Sequence, residues 1–420
     1  MNILEDLEFR GLLYQTTNRE GLQKKLDSEP VVLYAGFDPT ADSLHIGSLL
    51  PILILKRFQL AGHIPLALVG GGTGLIGDPS GKAAERTLNT TDTVSAWSQR
   101  LKDQLSRFLD FSDRLPNPAE LVNNYDWLGS LNVIEFLRDI GKNFTVNYML
   151  AKDSVDSRIT KGISFTEFSY MILQAYDFLQ LNQTKNCSLQ VGGSDQWGNI
   201  TAGLELIGKT TDNRAYGITM PLVMKSDGQK FGKTEGGAIW LDPAKTSPYQ
   251  FYQFWVNTDD QDVIRFIKYF TFLSKEEIGR LEQEVKLQPE KREAQRVLAS
   301  EVTKLVHGDE ALRSAMNITQ ALFSGNIQEL TQAEIEEAFK DVPSTTLEND
   351  ELSVIDLLVA AGAASSKTQA RKDIESGAVT INGNRLNDLE NRAADLGRIG
   401  GAYLIIRRGK KNYYLIQFNN

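Results

Sequence analysis

Two widely separated segments of the 420-residue chain carry side chains that suit phosphate chemistry. His45 and Gly47 lie at a predicted strand-to-helix junction, where free N–H groups and the helix dipole attract an anion. Lys230 and Lys233, followed by Thr234, lie far downstream in a predicted loop and would form a mobile cationic clamp. Each pattern alone is more typical of a surface histidine or of a solvated charged turn. By residue type, both segments would suit a site that binds phosphate groups.

A third set of polar residues shares one face of a helix predicted over residues 166–179. Tyr170, Gln174 and Asp177 are spaced i, i+4 and i+7, so a single helix face presents a phenol, an amide and a carboxylate. A helix that buried these groups without hydrogen-bond partners would lose stability. The spacing therefore indicates either a polar pocket for a small molecule or a helix with a few buried and satisfied polar groups.

The glycine-rich loop at 70–77 matches two nucleotide-binding patterns only in part. Residues 72–77 read GTGLIG and fit the dinucleotide-binding pattern G-x-G-x-x-G, but no second strand ends near Asp92, where the acidic partner is expected. Residues 77–82 read GDPSGK and resemble a Walker loop, but three residues rather than four separate the glycines and Ala83 replaces the required Ser or Thr. An NAD oxidoreductase is the alternative that this loop supports, and it explains none of the other motifs.

The elements that would position these groups are short apolar strands that alternate with helices. Strands are predicted at 31–37, 64–70, 188–196 and 216–228, and helices at 45–62 and 95–111. This alternation predicts βαβ units on a parallel sheet. Ligands of such sheets bind beyond the carboxyl ends of the strands, where the candidate residues lie.

The rest of the chain predicts three further segments. The sequence favours a Rossmann-like α/β catalytic domain over 1–247, an α-helical domain over 248–325, a polar linker over 326–350 and a small α+β domain over 351–420. The last of these opens with two helical patterns, IDLLVAAG and SKTQARKDIESG. It continues with three strand patterns, AVTING, AYLIIRR and YYLIQF.

Composition and charge exclude several classes of protein. The net charge of −9 argues against a broadly basic nucleic-acid binder, yet residues 351–420 hold 10 basic and 7 acidic side chains, so they carry +3 and residues 1–350 carry −12. One cysteine leaves no disulfide framework or cysteine zinc cluster, and three histidines leave little for a histidine metal site. No apolar run reaches the roughly 18 residues of a membrane helix. The first residues lack a secretory pattern, so we expect a cytoplasmic protein without a membrane partner.

Four segments together resemble the bacterial tyrosyl-tRNA synthetases, a branch of the class I aminoacyl-tRNA synthetases. They are YAGFDPTADSLHIG at 34–47, LIGDPSGK at 75–82, TEFSYMILQAYDFL at 166–179 and QVGGSDQWGNI at 190–200. The resemblance runs over nearly the whole chain. It implies that L-tyrosine reacts with ATP to give tyrosyl-adenylate and pyrophosphate, and that tyrosine then passes to the 3′ end of tRNA(Tyr). It also implies Mg²⁺ with ATP, no protein-bound metal, and a homodimer.

The resemblance assigns roles to individual residues of the catalytic domain. Those implied in catalysis are His45, Lys82, Arg86, Lys230, Lys233 and Thr234. Those implied in tyrosine binding are Tyr34, Asp78, Tyr170, Gln174, Asp177 and Gln196. Those implied in ATP binding are Asp38, Thr40, Gly47, Ser48, Gly193, Asp195 and Lys233, with Gln190 lining the same region.

The C-terminal segment resembles an RNA-binding module shared with a small-subunit ribosomal protein. The resemblance covers SKTQARKDIESGAVTINGNRL at 366–386, and the cluster RRGKK at 407–411 adds a second cationic edge. The residues implied in RNA binding are Lys367, Arg371, Lys372, Arg407, Arg408, Lys410 and Lys411. Such a basic surface would contact the RNA backbone and its shape rather than read bases.

Three positions depart from the family pattern. Ser48 replaces the final histidine of His-Ile-Gly-His, and Ala35 and Pro51 stand where some relatives carry side chains that reach the ribose. A proline in the first turn of a helix would remove no intrahelical hydrogen bond, so we expect it to be tolerated. Two further hypotheses stay open. One is a tryptophanyl-type enzyme, which the pair Tyr34 and Asp177 argues against, and the other is a non-catalytic RNA-binding protein on a decayed scaffold, which Ser48 suggests.

Overall fold

The computed structural model describes residues 2–80, 88–160, 162–228, 231–234, 237–340, 342–348, 350–409 and 412–419, without the side chains at 154, 157, 233 and 234. The predicted site residues that lie outside the described residues are Lys82, Arg86, Lys230, Lys410 and Lys411. The chain divides into two compact units. The first comprises Met1–Thr246 with Thr258–Leu298, and the second comprises Ser247–Asn257 with Ala299–Asn420.

Seventeen α-helices and thirteen strands are present in the described part of the chain. The helices are α1 Ile3–Arg10, α2 Arg19–Ser28, α3 Ile46–Leu60, α4 Thr91–Leu105, α5 Tyr125–Leu128, α6 Val133–Glu135, α7 Val146–Leu150, α8 Asp153–Ile159, α9 Phe165–Lys185, α10 Trp197–Thr210, α11 Pro248–Val256, α12 Asp260–Phe270, α13 Lys275–Leu287, α14 Glu293–Ser324, α15 Gln332–Ala338, α16 Val354–Ala360 and α17 Lys367–Glu375. The strands are β1 Gln15–Thr16, β2 Val32–Phe37, β3 Ile64–Val69, β4 Glu120–Asn123, β5 Cys187–Gly193, β6 Tyr216–Met220, β7 Lys233–Thr234, β8 Gly237–Ala238, β9 Ser344–Leu347, β10 Val379–Ile381, β11 Asn384–Arg385, β12 Tyr403–Arg408 and β13 Asn412–Phe418.

The first unit is built on a six-stranded sheet in the order β1-β6-β5-β2-β3-β4. Five strands run in parallel, and β1 joins the edge beside β6 in the antiparallel direction. The predicted α/β fold with a Rossmann-like parallel sheet is therefore confirmed. The edge strand β4 was not predicted, because its sequence ELVN is short and lacks the apolar run that marks a buried strand.

Helix α3 follows β2 and is buried along most of its length. His45 is its N-cap, and the imidazole Nδ1 accepts a hydrogen bond from the N–H of Gly47 at 2.9 Å. Pro51 is the sixth residue of this helix, so our expectation that it lies in the first turn is wrong. Proline has no N–H, so Pro51 cannot donate the intrahelical hydrogen bond that the carbonyl of Gly47 would otherwise accept.

One core cluster of the first unit packs α9 and α10 against the sheet. It includes Tyr34 of β2, Phe178 of α9 and Cys187 of β5, each no more than 1% exposed. The rings of Tyr34 and Phe178 have centroids 5.3 Å apart. Cys187 is thus a small buried residue.

The second unit contains a five-stranded sheet in the order β11-β10-β12-β13-β9, in which only the pair β13 and β9 is parallel. The two helices and three strands predicted for 351–420 appear as α16, α17, β10, β12 and β13.

The segment predicted as a linker, 326–350, contains α15 and the sheet strand β9 instead of extended chain. Leu330, Ile335 and Phe339 from this segment are buried in a cluster with Tyr403 and other residues of the sheet. A few apolar side chains among many polar ones are enough to anchor it, and that pattern is easily mistaken for a linker. No helix in the described ranges is both long and apolar enough to cross a membrane.

Candidate active site

A buried carboxylate lies at one end of the candidate site. Asp177, on α9, is 2% exposed; its Oδ1 accepts from the indole N–H of Trp127 at 2.8 Å, and its Oδ2 from the amide of Asn124 at 2.9 Å. Burial raises the pKa of the Asp177 carboxyl to about 8, although both hydrogen bonds favour the charged form. A carboxyl held in this way is a hydrogen-bond partner for a ligand that reaches the interior of the domain.

The phenol of Tyr34 lies in the core cluster formed by α9, α10 and the sheet, and it lacks a hydrogen-bond partner among the described residues. Its ring is 1% exposed, and its hydroxyl oxygen has no solvent contact. Burial, and secondarily the charge of Asp177, raise the pKa of Tyr34 well above its usual value, so the hydroxyl keeps its proton. A buried hydroxyl without a partner costs about 1–3 kcal/mol, and a polar ligand group would remove that cost.

A chain of hydrogen bonds joins Asp177 to the end of β2. The amide of Asn124 also donates to the hydroxyl of Thr73 at 2.9 Å, and that hydroxyl donates to Asp38 Oδ1 at 2.7 Å. The phenol of Tyr170 donates to Asp38 Oδ2, also at 2.7 Å. Both oxygens of Asp38 are thus occupied by groups around the predicted tyrosine pocket, whereas the sequence placed Asp38 beside the phosphates.

A second network surrounds Asp78, which follows β3. Asp78 Oδ2 accepts from the amide of Gln196 at 2.7 Å, and its Oδ1 accepts from the backbone N–H of Ser80 at 2.9 Å. The amide of Asn199 donates to Gln196 Oε1 at 3.1 Å and to Gln174 Oε1 at 3.0 Å. This network therefore fixes both glutamines relative to a carboxylate that is only partly buried.

The glycines of loop 70–77 allow neighbouring loops to pack tightly against the backbone. A Cβ at Gly70 would collide with the carboxylate of Asp38, and a Cβ at Gly71 with the amide of Asn123. A Cβ at Gly74 would lie 2.9 Å from the ring of Pro39. These loop glycines, including Gly74 of the dinucleotide-like pattern, thus serve close packing against neighbouring loops rather than an open cradle.

The two phosphate-suited segments of the sequence meet in the first unit. Residue 45 forms a β-bridge with Trp240, and Ile46 N donates to the carbonyl of Ile239 at 2.8 Å. Ile239 N in turn donates to the carbonyl of Gly232, and a Cβ at Gly232 would collide with Ile46. The backbone that carries Lys233 and Thr234 therefore lies beside the N-terminus of α3.

The remaining predicted ATP residues flank the carboxyl ends of β2 and β5. Thr40 donates its N–H to the carbonyl of Asp38 at 2.9 Å, and Ser48 lies in the first turn of α3. Gly193 ends β5, and the 3₁₀-helix Ser194–Gln196 follows it directly. A Cβ at Gly193 would lie 2.5 Å from Asp195 Oδ1, so these two residues approach closely. Gln190 of β5 is 3% exposed, and its Oε1 has no partner among the described residues.

The predicted RNA-binding residues of the second unit differ in exposure and in ion pairing. Lys367 pairs with Asp356 at 2.6 Å, and Arg408 pairs with Asp373 at 2.8 Å. Arg371 and Lys372 are exposed on α17, and Arg407 is half-buried on β12.

Sequence reasoning missed several residues that hold the site together. Asn124, Trp127 and Thr73 contact the predicted residues directly, as does Asn199. Asn124 and Trp127 follow the unpredicted strand β4. Asn199 was visible within the segment QVGGSDQWGNI, close to the start of its helix.

No group of three or more His, Cys, Asp or Glu residues suited to a metal ion occurs within the described ranges.

Two family models cover nearly the whole chain. One, described as tRNA synthetases class I (W and Y), matches residues 26–324. The other, described as the tyrosine–tRNA ligase SYY-like C-terminal domain, matches residues 334–416.

Individual relatives are similar over their full length. A tyrosine–tRNA ligase from Geobacillus kaustophilus (strain HTA426) is 65% identical over 419 residues, which cover 100% of both chains. Tyrosine–tRNA ligase 1 from Bacillus subtilis (strain 168) is 64% identical over 420 residues and 99% of each chain. A crystal structure of a C-terminally truncated mitochondrial tyrosyl-tRNA synthetase from Aspergillus nidulans matches with a TM-score of 0.68 at 32% identity, over 76% of this chain and 94% of that chain.

Proposed function

The chain belongs to the tyrosyl-tRNA synthetases of class I and is a tyrosine–tRNA ligase, and we propose how its own residues divide the reaction. Family membership replaces the oxidoreductase, tryptophanyl and decayed-scaffold hypotheses with an ATP-dependent ligase. Tyrosine, ATP as its Mg²⁺ complex and tRNA(Tyr) are the substrates. The reaction needs no covalent enzyme intermediate, so the residues act by positioning the substrates and by stabilising charge.

Tyr34 and Asp177 recognise the hydroxyl of the substrate tyrosine. The phenol of Tyr34 donates to the substrate oxygen, and the substrate O–H donates to Asp177. The observation that carries this proposal is the buried Tyr34 hydroxyl without a partner among the described residues. It lies within electrostatic reach of Asp177, which two donors already orient. Phenylalanine would leave both groups unpaired, and tyrosyl-tRNA synthetases are themselves the established example of this kind of rejection.

Tyrosine-dependent ATP–pyrophosphate exchange tests this assignment. Tyr34→Phe removes one neutral hydrogen bond of about 1 kcal/mol, so the ratio of kcat/KM for tyrosine over phenylalanine should fall roughly fivefold. Tyr176→Phe is the matched control, because Tyr176 also lies on α9 and makes no hydrogen bond to either network in the described part of the chain. An unchanged ratio in Tyr34→Phe would remove Tyr34 from substrate recognition. Absence of tyrosine-dependent exchange in the unaltered protein would refute the activity.

Asp78, Tyr170, Gln174 and Gln196 bind the substrate's ammonium group. Asp78 supplies the negative charge, while the amide oxygens and the phenol oxygen are acceptors for its N–H groups. The support is the network in which Asn199 and Gln196 hold the side chains of Gln174 and Asp78 in place. This arrangement would point the substrate carboxylate toward the ends of β2 and β5.

The tyrosine carboxylate attacks the α-phosphate of ATP, and the bond to pyrophosphate breaks. Negative charge grows on the phosphates, so cations and N–H donors placed there lower the barrier. We assign this role to His45 at the start of α3 and, by the family's motifs, to the set Lys82, Arg86, Lys230, Lys233 and Thr234. The support is the close approach of Gly232 to Ile46. It brings the backbone next to Lys233 beside the backbone next to His45.

The ATP ribose and phosphates would lie along the carboxyl ends of β2 and β5. The residues proposed to line them are Asp38, Thr40, Gly47, Ser48, Gly193 and Asp195. Asp38 acts there as a positioning residue, because its two oxygens hold Thr73 and Tyr170. Ser48 can offer one hydroxyl hydrogen bond in place of an imidazole.

The C-terminal domain binds tRNA through its net charge of +3. The residues proposed for contact are Lys367, Arg371, Lys372, Arg407, Arg408, Lys410 and Lys411. The double variant Arg371→Ala with Lys372→Ala should weaken tRNA binding and reduce the slope of log K against log salt by about 2. Pyrophosphate exchange should be unaffected. An unchanged salt slope would exclude α17 from the interface.

A homodimer in the cytoplasm completes the proposal. Exposed apolar side chains concentrate between residues 133 and 165, among them Val133, Ile134, Leu137, Val146 and Phe165, which are 52–76% exposed. Clusters of this kind mark protein interfaces. Ile134→Asp with Leu137→Asp should give a monomer by analytical ultracentrifugation, and a dimer that survives these charges would place the interface elsewhere.

A further inference from the structure

A cavity of about 510 Å³ opens at the amino-terminal edge of the parallel sheet in the first unit. Its wall comes from α2, the end of α9 and the first residues of β5 and β6. The candidate active site lies beyond the carboxyl ends of these same strands. The cavity is therefore at the opposite edge of the sheet and takes no part in the site already described.

The charged side chains in the wall of the cavity are all cationic. They are Lys24 and Lys25 of α2 and Arg214 from the loop before β6. Lys25 pairs with Glu29 at 2.6 Å, whereas no ion pair of Lys24 or Arg214 occurs among the described residues. Residues 1–350 carry a net charge of −12, so acidic side chains outnumber basic ones in this part of the chain. A cavity wall without acidic side chains is therefore not expected from composition. Cations gathered around a concave surface repel each other unless an anion lies between them.

Neutral polar groups complete the wall. The amide of Asn182 is 3% exposed; it donates to the carbonyl of Cys187 at 2.8 Å and accepts from Asn213 at 2.9 Å, which fixes the loop that carries Arg214. Ser188 is 5% exposed, and its hydroxyl lacks a partner among the described residues. An oxygen-rich ligand would supply the acceptor that this buried hydroxyl is missing.

We propose that this cavity binds a small molecule bearing two or more phosphate groups, at a site separate from the one that uses ATP. Lys24 and Arg214 would contact the phosphate oxygens, and Ser188 would donate to one of them. The volume lies within the range of about 300–1,000 Å³ typical of small-molecule sites. A concave pocket with neutral amides in its wall suits a compact anion better than an extended nucleic-acid backbone, which follows a continuous basic stripe.

Calorimetric titration of the full-length protein with tripolyphosphate tests the proposal. We expect two binding events per chain, one at the catalytic edge and one in the cavity. Lys24→Ala with Arg214→Ala removes two charge-assisted contacts, so one event should weaken about a hundredfold or disappear while the other is unchanged. Tyrosine-dependent pyrophosphate exchange should stay at its normal rate, which separates this result from any failure of the assigned activity.

Arg280→Ala with Lys286→Ala is the matched control. It removes one arginine and one lysine from α13 in the same unit, both more than 60% exposed and neither part of the cavity wall. This control should retain both binding events. Ser188→Ala should weaken only the cavity event, by about fivefold, which guards against a folding defect in the double variant.

The choice of anion identifies the source of the phosphates. Tighter binding of adenosine 3′,5′-bisphosphate than of tripolyphosphate in the cavity assigns a nucleotide, and the reverse assigns a free polyphosphate; either result upholds the proposal. A single binding event that survives in Lys24→Ala with Arg214→Ala, or two events that both survive in it, would overturn the proposal. A loss of tRNA affinity in that variant with unchanged binding of both small anions would overturn it in favour of an RNA contact.

Discussion

The two ends of the proposed tyrosine pocket hold a carboxylate in opposite ways. Asp177 is buried and receives its hydrogen bonds from Trp127 and Asn124, which follow a different strand. Asp78 is partly exposed and receives its bonds from Gln196 and from its own loop at Ser80. A hydrogen bond left unmade in the dry interior costs more than one that water can replace. The Asp177 end is therefore suited to rejecting wrong substrates, and the Asp78 end to orienting the right one.

The largest expected effect comes from Asp177→Ala. This change leaves the indole N–H of Trp127 without an acceptor and takes one of two acceptors from the amide of Asn124. It also removes the proposed acceptor for the substrate hydroxyl. The kcat/KM for tyrosine in pyrophosphate exchange should fall by roughly a hundredfold to a thousandfold, from about 3–4 kcal/mol. Asp103→Ala on α4 serves as a carboxylate control. A loss below tenfold would show that the buried end contributes no more than the exposed end, which would contradict the difference proposed between them.

Gln196→Ala should have a smaller effect at the other end. The variant removes the hydrogen bond to the carboxylate of Asp78 and one acceptor of Asn199, which keeps its bond to Gln174. Water can enter and replace part of the lost contact. We expect KM for tyrosine to rise about tenfold with a smaller change in the ratio of tyrosine to phenylalanine. If this variant loses discrimination instead of affinity, the division of roles between the two ends is wrong.

Trp127→Phe tests a single hydrogen bond at the buried end, the one from the indole N–H to Asp177. With a pKa of about 8, the Asp177 carboxyl is largely neutral at pH 7, so the indole hydrogen bond should be an ordinary one of about 1 kcal/mol. The discrimination ratio should therefore fall only about fivefold in steady-state exchange assays. Trp197→Phe, at the start of α10, controls for the loss of an indole elsewhere. A loss as large as that of Asp177→Ala would mean that the carboxyl is charged.

The last expected signal is a pH dependence of stability, which does not concern substrate use. The folded-state pKa of Asp177 lies near 8, above the usual value of about 4, so the folded protein keeps a proton that the unfolded chain releases between these two values. The stability that this group contributes is fully present below about pH 4 and is lost as pH rises through 8. The free energy of unfolding of the unaltered protein, relative to Asp177→Asn, should therefore decline between pH 5 and pH 8, by less than about 1.4 kcal/mol per pH unit. Urea denaturation at each pH measures this difference, and parallel curves would contradict the raised pKa.

Sequence patterns predicted the local elements of the site well. The i, i+4, i+7 spacing placed Tyr170, Gln174 and Asp177 on one helix, and α9 carries all three. The spacing does not tell which partner each residue has. Tyr170 and Asp177 belong to one chain of hydrogen bonds that ends at Asp38, whereas Gln174 accepts from Asn199 in the network around Asp78. Periodicity reports which residues share a face, but it carries no information on what approaches that face.

The sequence by itself determined the parallel α/β domain, the main helices and strands, and, through its motifs, the ligase family. Those features depend on local periodicity and on short segments. Tertiary structure alone decided that Trp127 and Asn124 meet Asp177, 50 and 53 residues further along the chain, and that the cations of α2 and Arg214 line one cavity. Contacts of this kind depend on strand order and register, which set distances to within an ångström between segments that are remote in the chain. The same reason explains the segment at 326–350, because β9 is a strand only through its pairing with β13.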